Sequence, residues 1–103
     1  MRSISTTKYW DGEPMRRAKN PDKETILAFL KGRPYVAVAA GRFADHLTGE
    51  TVRSDWLAYE AGEYSWDSCD IYHFERYDLE LDPAFCEHVL RSDRERGGDP
   101  QWP

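Results

Sequence analysis

Two helix starts written close together constrain this chain more than any other feature in it. Asp67 stands directly before Ser68-Cys69-Asp70-Ile71-Tyr72, and Asp82-Pro83 directly before Ala84-Phe85-Cys86. An aspartate in that place accepts hydrogen bonds from the unpaired amides of a first helical turn. A proline at the first helical position gives up no amide that the helix needs. Helices are therefore expected over residues 68–78 and from 82 to 92. Only Leu79-Glu80-Leu81 lies between them, so the two helices should pack as neighbours. A 3.6-residue period gathers Cys69, Ile71, His73, Phe74 and Tyr77 on one arc of the first helix, with Asp70 among them, and leaves Tyr72, Glu75 and Arg76 outside it. On the second helix Phe85, Cys86, Val89 and Leu90 form the apolar stripe, while Glu87, His88 and Arg91 point away.

Upstream, Asn20-Pro21 repeats the cap-and-proline signal. It predicts a helix to residue 31 with Ile26, Leu27, Phe29 and Leu30 on one face and Gly32 as a left-handed stop. Residues 34–44, rich in valine, alanine and aromatics, read as a strand buried on much of both faces, with a helix as the competing assignment. Gly41 would mark a bulge or a close contact. Residues 45–49 form a hairpin loop, 51–60 the return strand, Ala61-Gly62 a second turn and 63–66 a third strand. The expected fold class is α+β: an N-terminal helix, a three-stranded antiparallel meander and two C-terminal helices packed on the sheet. Residues 1–19 are expected to be a loosely ordered N-terminal segment with Trp10 as its docking residue. Residues 20–92 would form a single α+β domain, and 93–103 a mobile tail. A chain of 103 residues is long enough to bury a core without staples.

The formal net charge is -5, unevenly spread. Residues 1–33 carry eight Lys/Arg against four Asp/Glu, and residues 34–103 six against fifteen. An acidic body favours a basic partner and disfavours nucleic acid, whose phosphates need a basic surface. No window is long and apolar enough for a membrane span, and the N-terminus lacks the apolar core of a signal peptide. Two cysteines are too few for a secreted disulfide scaffold. The expected location is the cytoplasm.

Chemistry could gather in three places. Cys69-x3-His73 with Cys86-x-His88 has the residue types of a zinc set, but Cys86 and His88 sit about 200° apart around a helix and cannot face one ion. No metal is therefore expected. Asp70 and His73, at i and i+3, can pair as carboxylate and imidazole, and Cys69 could serve as nucleophile beside them. The plainer reading has Asp70 finishing a helix end and Cys69 packed as a small hydrophobe. Third, Tyr59 and Tyr72 are expected off the core arcs. With Glu60, Glu63 and Glu75 they would form an acidic, aromatic binding surface, since tyrosine dominates interaction hot spots. Phosphate loops and other cofactor motifs are absent from the sequence, so no cofactor is expected.

Asp45-x-x-Thr48-Gly49, Tyr59-x-x-Gly62-x-Tyr64-x-Trp66, Ile71-Tyr72-x-x-Glu75-x-Tyr77 and Phe85-x-x-His88 together resemble the pattern of a family of small, uncharacterised bacterial single-domain proteins, over residues 24–90. The size and acidity also resemble those of immunity proteins that neutralise secreted toxins. The acidic domain leads to the expectation of a small non-enzymatic protein that binds a basic protein partner, and the second resemblance implies toxin neutralisation as one form of it. The residues leave open a small-ligand or hydrolytic domain using Asp70, His73 and Cys69.

Overall fold

The computed structural model describes residues 2–95. The sheet is built by alternation. Strand β5 (Trp56–Ala61) pairs antiparallel with β6 (Tyr64–Asp67), and Ala61 faces Tyr64. Gly62 turns the chain between them at φ 60°, a conformation in which a Cβ would be strained. On the other side of β5 lies β2 (Ala37–Ala39), and β3 (Arg42–Ala44) pairs with β4 (Thr51–Arg53). Ala37↔Ala58 and Ala44↔Thr51 share one register. The two ladders are thus one long hairpin, bent where residues 40–41 face 54–55. Strand β1 (Arg2–Ser3) adds parallel to β6, giving the order β1-β6-β5-β2. Helices α1 (Lys23–Gly32), α2 (Ser68–Tyr77) and α3 (Pro83–Glu95) complete the mixed α+β fold.

The two helix starts behave as the sequence predicts. Asp67 Oδ1 accepts from the Asp70 amide at 3.1 Å, and Asp70 Oδ2 accepts from the Asp67 amide at 3.2 Å, closing a reciprocal cap on α2. Asp82 Oδ1 accepts from the Ala84 amide at 2.9 Å, and Pro83 opens α3. Asp78 ends α2 in the left-handed region at φ 58°, which aspartate tolerates better than most residues.

The core lies between the sheet and the helices. Tyr59 and Ala61 of β5 and Tyr64 and Trp66 of β6 point into it, as expected of alternate residues on a pleated strand. Tyr59 stacks on Trp66 at 5.8 Å and 7°, and Phe85 meets Tyr64, Trp66 and Phe29. The Trp66 indole N–H donates to the Leu30 carbonyl at 3.3 Å, so a large ring is buried without an orphaned donor.

Several expectations need correction. The described part of the segment expected to be loosely ordered (1–19), residues 2–19, is tied down at many points. Ile4 is fully buried and its carbonyl accepts from the Asp82 amide at 2.7 Å. Ser5 and Arg17 bridge Leu81 and Leu79. The connector 79–82 thus has chain from the N-terminal segment along both edges, which satisfies the connector's backbone groups. Tyr9, not Trp10, is the docked residue, while Trp10 stays half exposed. In place of one three-stranded meander there are two sheets: four strands in the order β1-β6-β5-β2, β1 being added, and a two-stranded β3-β4 ladder split off where the hairpin bends. Residues 34–44 are not buried on both faces: β2 is an edge strand, and Tyr35, Val36 and Val38 are 55–60% exposed. Asn20-Pro21 forms a turn before α1, with Asn20 Oδ1 accepting from the Asp22 amide. Gly32 is the last residue of α1 and lacks the left-handed conformation. The hairpin register runs through Gly41 without a bulge. Of the expected tail, residues 93–95 continue α3, and 96–103 lie outside the described residues. Among the described residues, no helix is long and apolar enough to cross a membrane.

Candidate functional site

The face of the sheet turned away from α1 and α3 carries the other half of the alternation, and there the side chains are mostly small. Ser3, Ala58 and Ser65 leave the floor low, with Trp56, Glu60 and Asp67 around them. Three segments rise over this floor. The turn at residues 9–11 brings Tyr9 and Trp10, the tip of the bent hairpin brings Phe43, Ala44 and His46, and the start of α2 brings Asp67, Cys69 and Asp70. They enclose an open cavity of about 680 Å³. Its aromatic walls are Tyr9, Trp10, Phe43 and Trp56, and its charged or titratable groups include Glu60, Asp67, Asp70 and His46. No lysine or arginine lies among its described lining residues.

At the base sits a polar cluster. The Tyr9 hydroxyl donates to Asp70 Oδ1 and approaches Cys69 Sγ at 3.8 Å. Burial, with the Asp67 carboxylate next in weight, pushes Asp70 up to about 7. Burial and then the Asp70 charge push Tyr9 far above the ordinary phenol. Burial likewise pushes the Cys69 thiol up to about 12, so at neutral pH it is protonated and a poor nucleophile.

His73 lies behind this cluster, fully buried. One ring nitrogen, Nε2, is 3.0 Å from the His46 amide, which must donate; the other, Nδ1, is 2.7 Å from the Cys69 carbonyl, which must accept. The two neighbours assign one neutral tautomer, with the proton on Nδ1. Burial depresses the imidazole's pKa, outweighing the carbonyl contact. His46, Cys69 and His73 offer ligand atoms within 4.8 Å of one another. That spacing suits a metal ion, but both His73 nitrogens are already committed to the backbone, and binding through Nδ1 would break its bond to Cys69. The residues as arranged do not fit a metal. The same two bonds deny His73 the role of general base for Cys69. Cys69 and His73 are brought together, with Sγ 3.5 Å from Nδ1, but the expected Asp70–His73 pair is not formed: the Asp70 carboxylate is held by Tyr9 and the Asp67 amide. Sequence reasoning missed His46 because it arrives from the hairpin tip, far from α2 in the chain.

Cys86 and His88 sit elsewhere. Cys86 is half-buried, with the Asn20 amide nitrogen 3.6 Å from its sulfur, and His88, also half-buried, packs on Phe29 and Tyr64.

The hairpin tip is held over the cavity by Asp45, which is 2% exposed. Oδ1 accepts from the Leu47 and Thr48 amides at 2.8 and 3.0 Å; Oδ2 accepts from the Tyr72 and Tyr77 hydroxyls at 2.7 and 2.5 Å. Burial alone would raise this carboxyl, but the four donors outweigh it and hold it below the usual carboxylate range.

Of the five residues expected to form one binding surface, Tyr59 and Glu60 both line the cavity, Tyr59, Tyr72 and Glu75 share another hollow, and Glu63 lines neither. Tyr59 is in the core, which corrects its expected place off the core arcs. Glu60 borders the cavity. Glu63, at the β5–β6 turn, pairs with Arg2 at 3.4 Å. Tyr72 is bound to Asp45, and Glu75 pairs with Lys31 at 2.6 Å beside a second, smaller hollow of about 260 Å³.

Comparison with protein-family models, curated proteins and solved structures returns no match, so the site is interpreted from its own geometry.

Proposed function

We propose that this is a small binding domain whose ligand enters the cavity on the outer face of the sheet. The observation that carries this reading is the cavity itself. About 680 Å³ is the size of a small-molecule site, and apolar walls with a few convergent polar groups are the usual lining of one. The inert thiol and the doubly bonded His73 favour binding over hydrolysis. The test is a ligand-observed NMR fragment screen on the native protein and on Ser65→Phe or Ala58→Leu, which fill the floor. Fragments that shift the Trp10 and Trp56 indole signals should lose binding in the filled variants. Fragments indifferent to both fillings would remove the reading.

A second reading, capture of a basic protein in the manner of an immunity protein, is favoured by the free edge β2. Val36 both lines the cavity and stands exposed on that edge, so a partner strand added there would reach the cavity mouth. Under it, Glu60→Lys weakens capture of a lysine-rich peptide about tenfold. Glu75→Lys, whose native charge Lys31 already offsets, changes capture little. Equal effects of the two reversals would count against it.

A further inference from the structure

We propose that the group received by the cavity is an organic ammonium: an alkylated or primary amine whose carbon body lies against Tyr9, Trp10, Phe43 and Trp56 and whose charge is met by Glu60, Asp67 and Asp70. This inference rests on the cavity being a binding site. It is carried by a combination that neither an acidic patch nor an apolar pocket would show alone. The described lining holds three carboxyls and no basic side chain apart from the imidazole of His46. An anion would find no lysine or arginine counter-charge here. A neutral apolar ligand would leave the carboxyls to be desolvated without compensation. A cation compensates them and also finds aromatic rings, whose negative faces attract it.

The cap geometry adds a second element. Asp67 uses Oδ1 to cap α2, and among the described residues its Oδ2 has no hydrogen-bond partner. Asp70 is committed to Tyr9 and to the Asp67 amide, so it offers charge rather than a free acceptor. The titratable and charged groups that share its cavity are Asp67 at the end of β6, Cys69 on its own helix, Tyr9 from the N-terminal turn, His46 from the hairpin tip and Glu60 from β5. A bound cation favours ionised Asp70. Cation binding therefore strengthens as pH rises from 6 to 8, and Asp70→Asn should reduce that dependence.

The probes are choline and its uncharged isostere 3,3-dimethylbutan-1-ol, titrated into the full chain while the Trp10 and Trp56 indole N–H signals are followed. Choline should bind about tenfold or more tightly than the isostere. Glu60→Gln and Asp67→Asn, which keeps the cap acceptor, should narrow that ratio, and Ser65→Phe should abolish both titrations. Nα-acetyl-lysine amide in parallel separates a free amine from a basic side chain as the source: whichever binds more tightly names it. Equal binding of choline and the isostere overturns the cation assignment and leaves the cavity reading standing. If neither molecule shifts the indoles, both ideas fall.

Discussion

The two faces of the four-stranded sheet are made by the same strands and do opposite things. Toward the helices, β5 and β6 present Tyr59, Ala61, Tyr64 and Trp66, closed over by Phe29, Phe85 and Val89. Away from them, the same strands present Ala58, Ser65, Glu60 and Asp67 around an open cavity. On one face size fills space; on the other its absence creates space, and carboxyls border it. The difference teaches that alternation along a strand can pack one face and leave the other hollow.

The largest break in this contrast should come from the packed face. Phe85→Ala is expected to cost about 3–5 kcal/mol, read as a fall in the urea midpoint. Asp45→Ala leaves two hydroxyls and two amides without their acceptor and frees the hairpin tip. A loss of about 2 kcal/mol is expected, with broadened Trp56 and His46 NMR signals reporting the tip. A loss as large as that of Phe85→Ala would mean that the outer wall belongs to the core.

Asp70 sharpens the contrast through pH. Its folded pKa of about 7 lies above the ordinary carboxyl value of 3.8 because the group is buried beside Asp67. The folded protein thus holds a proton that the unfolded chain releases, and this contribution to stability is lost as pH rises from about 4 to about 7. Asp45, held low, and His73, also held low, work in the other direction, losing stability as pH falls. The difference between Asp70→Asn and the native chain isolates the first effect. The variant should gain on the order of 2–4 kcal/mol relative to the native chain between pH 4 and pH 7. A difference that stays flat with pH would show that folding leaves the Asp70 pKa unraised.

The smallest effects belong to the cavity floor and the rim. Ser65→Phe should change stability by less than about 1 kcal/mol while closing the cavity to fragments. Lys31→Ala breaks a pair with both partners about half exposed and should move stability by under about 0.5 kcal/mol.

The helices were legible because their signals are local: Asp67, Asp70, Asp82 and Pro83 act within one turn of themselves. The meander was legible from Gly62 and the flanking alternation. What could not be read was assembled over distance. Tyr9 reaches Asp70, His46 reaches His73, and Tyr72 and Tyr77 reach Asp45 only once the hairpin has folded over α2. No periodicity in the sequence reports such meetings. The exposure of Val36 and Val38 was missed for a related reason. Their apolar character suggested burial, but the helices do not extend to that edge. The residues that carried the resemblance prove to be framework: Asp45 with Tyr72 and Tyr77, Tyr59 on Trp66, and Tyr64 with Phe85 and His88. The cavity is lined largely by others.

The N-terminal segment that flanks the connector 79–82 has a consequence for how the chain is made. Arg2 takes its backbone partner from Glu63, Thr6 from Glu80, and Ile4 supplies the acceptor for Asp82. On a ribosome adding about 5–20 residues per second, residues 2–6 must wait for seconds until those partners have been synthesised and have left the exit tunnel. Closure of this end is therefore a late event that follows the emergence of residues 63–82, and until it happens Ile4 and Tyr9 are available to whatever else is bound to a nascent chain.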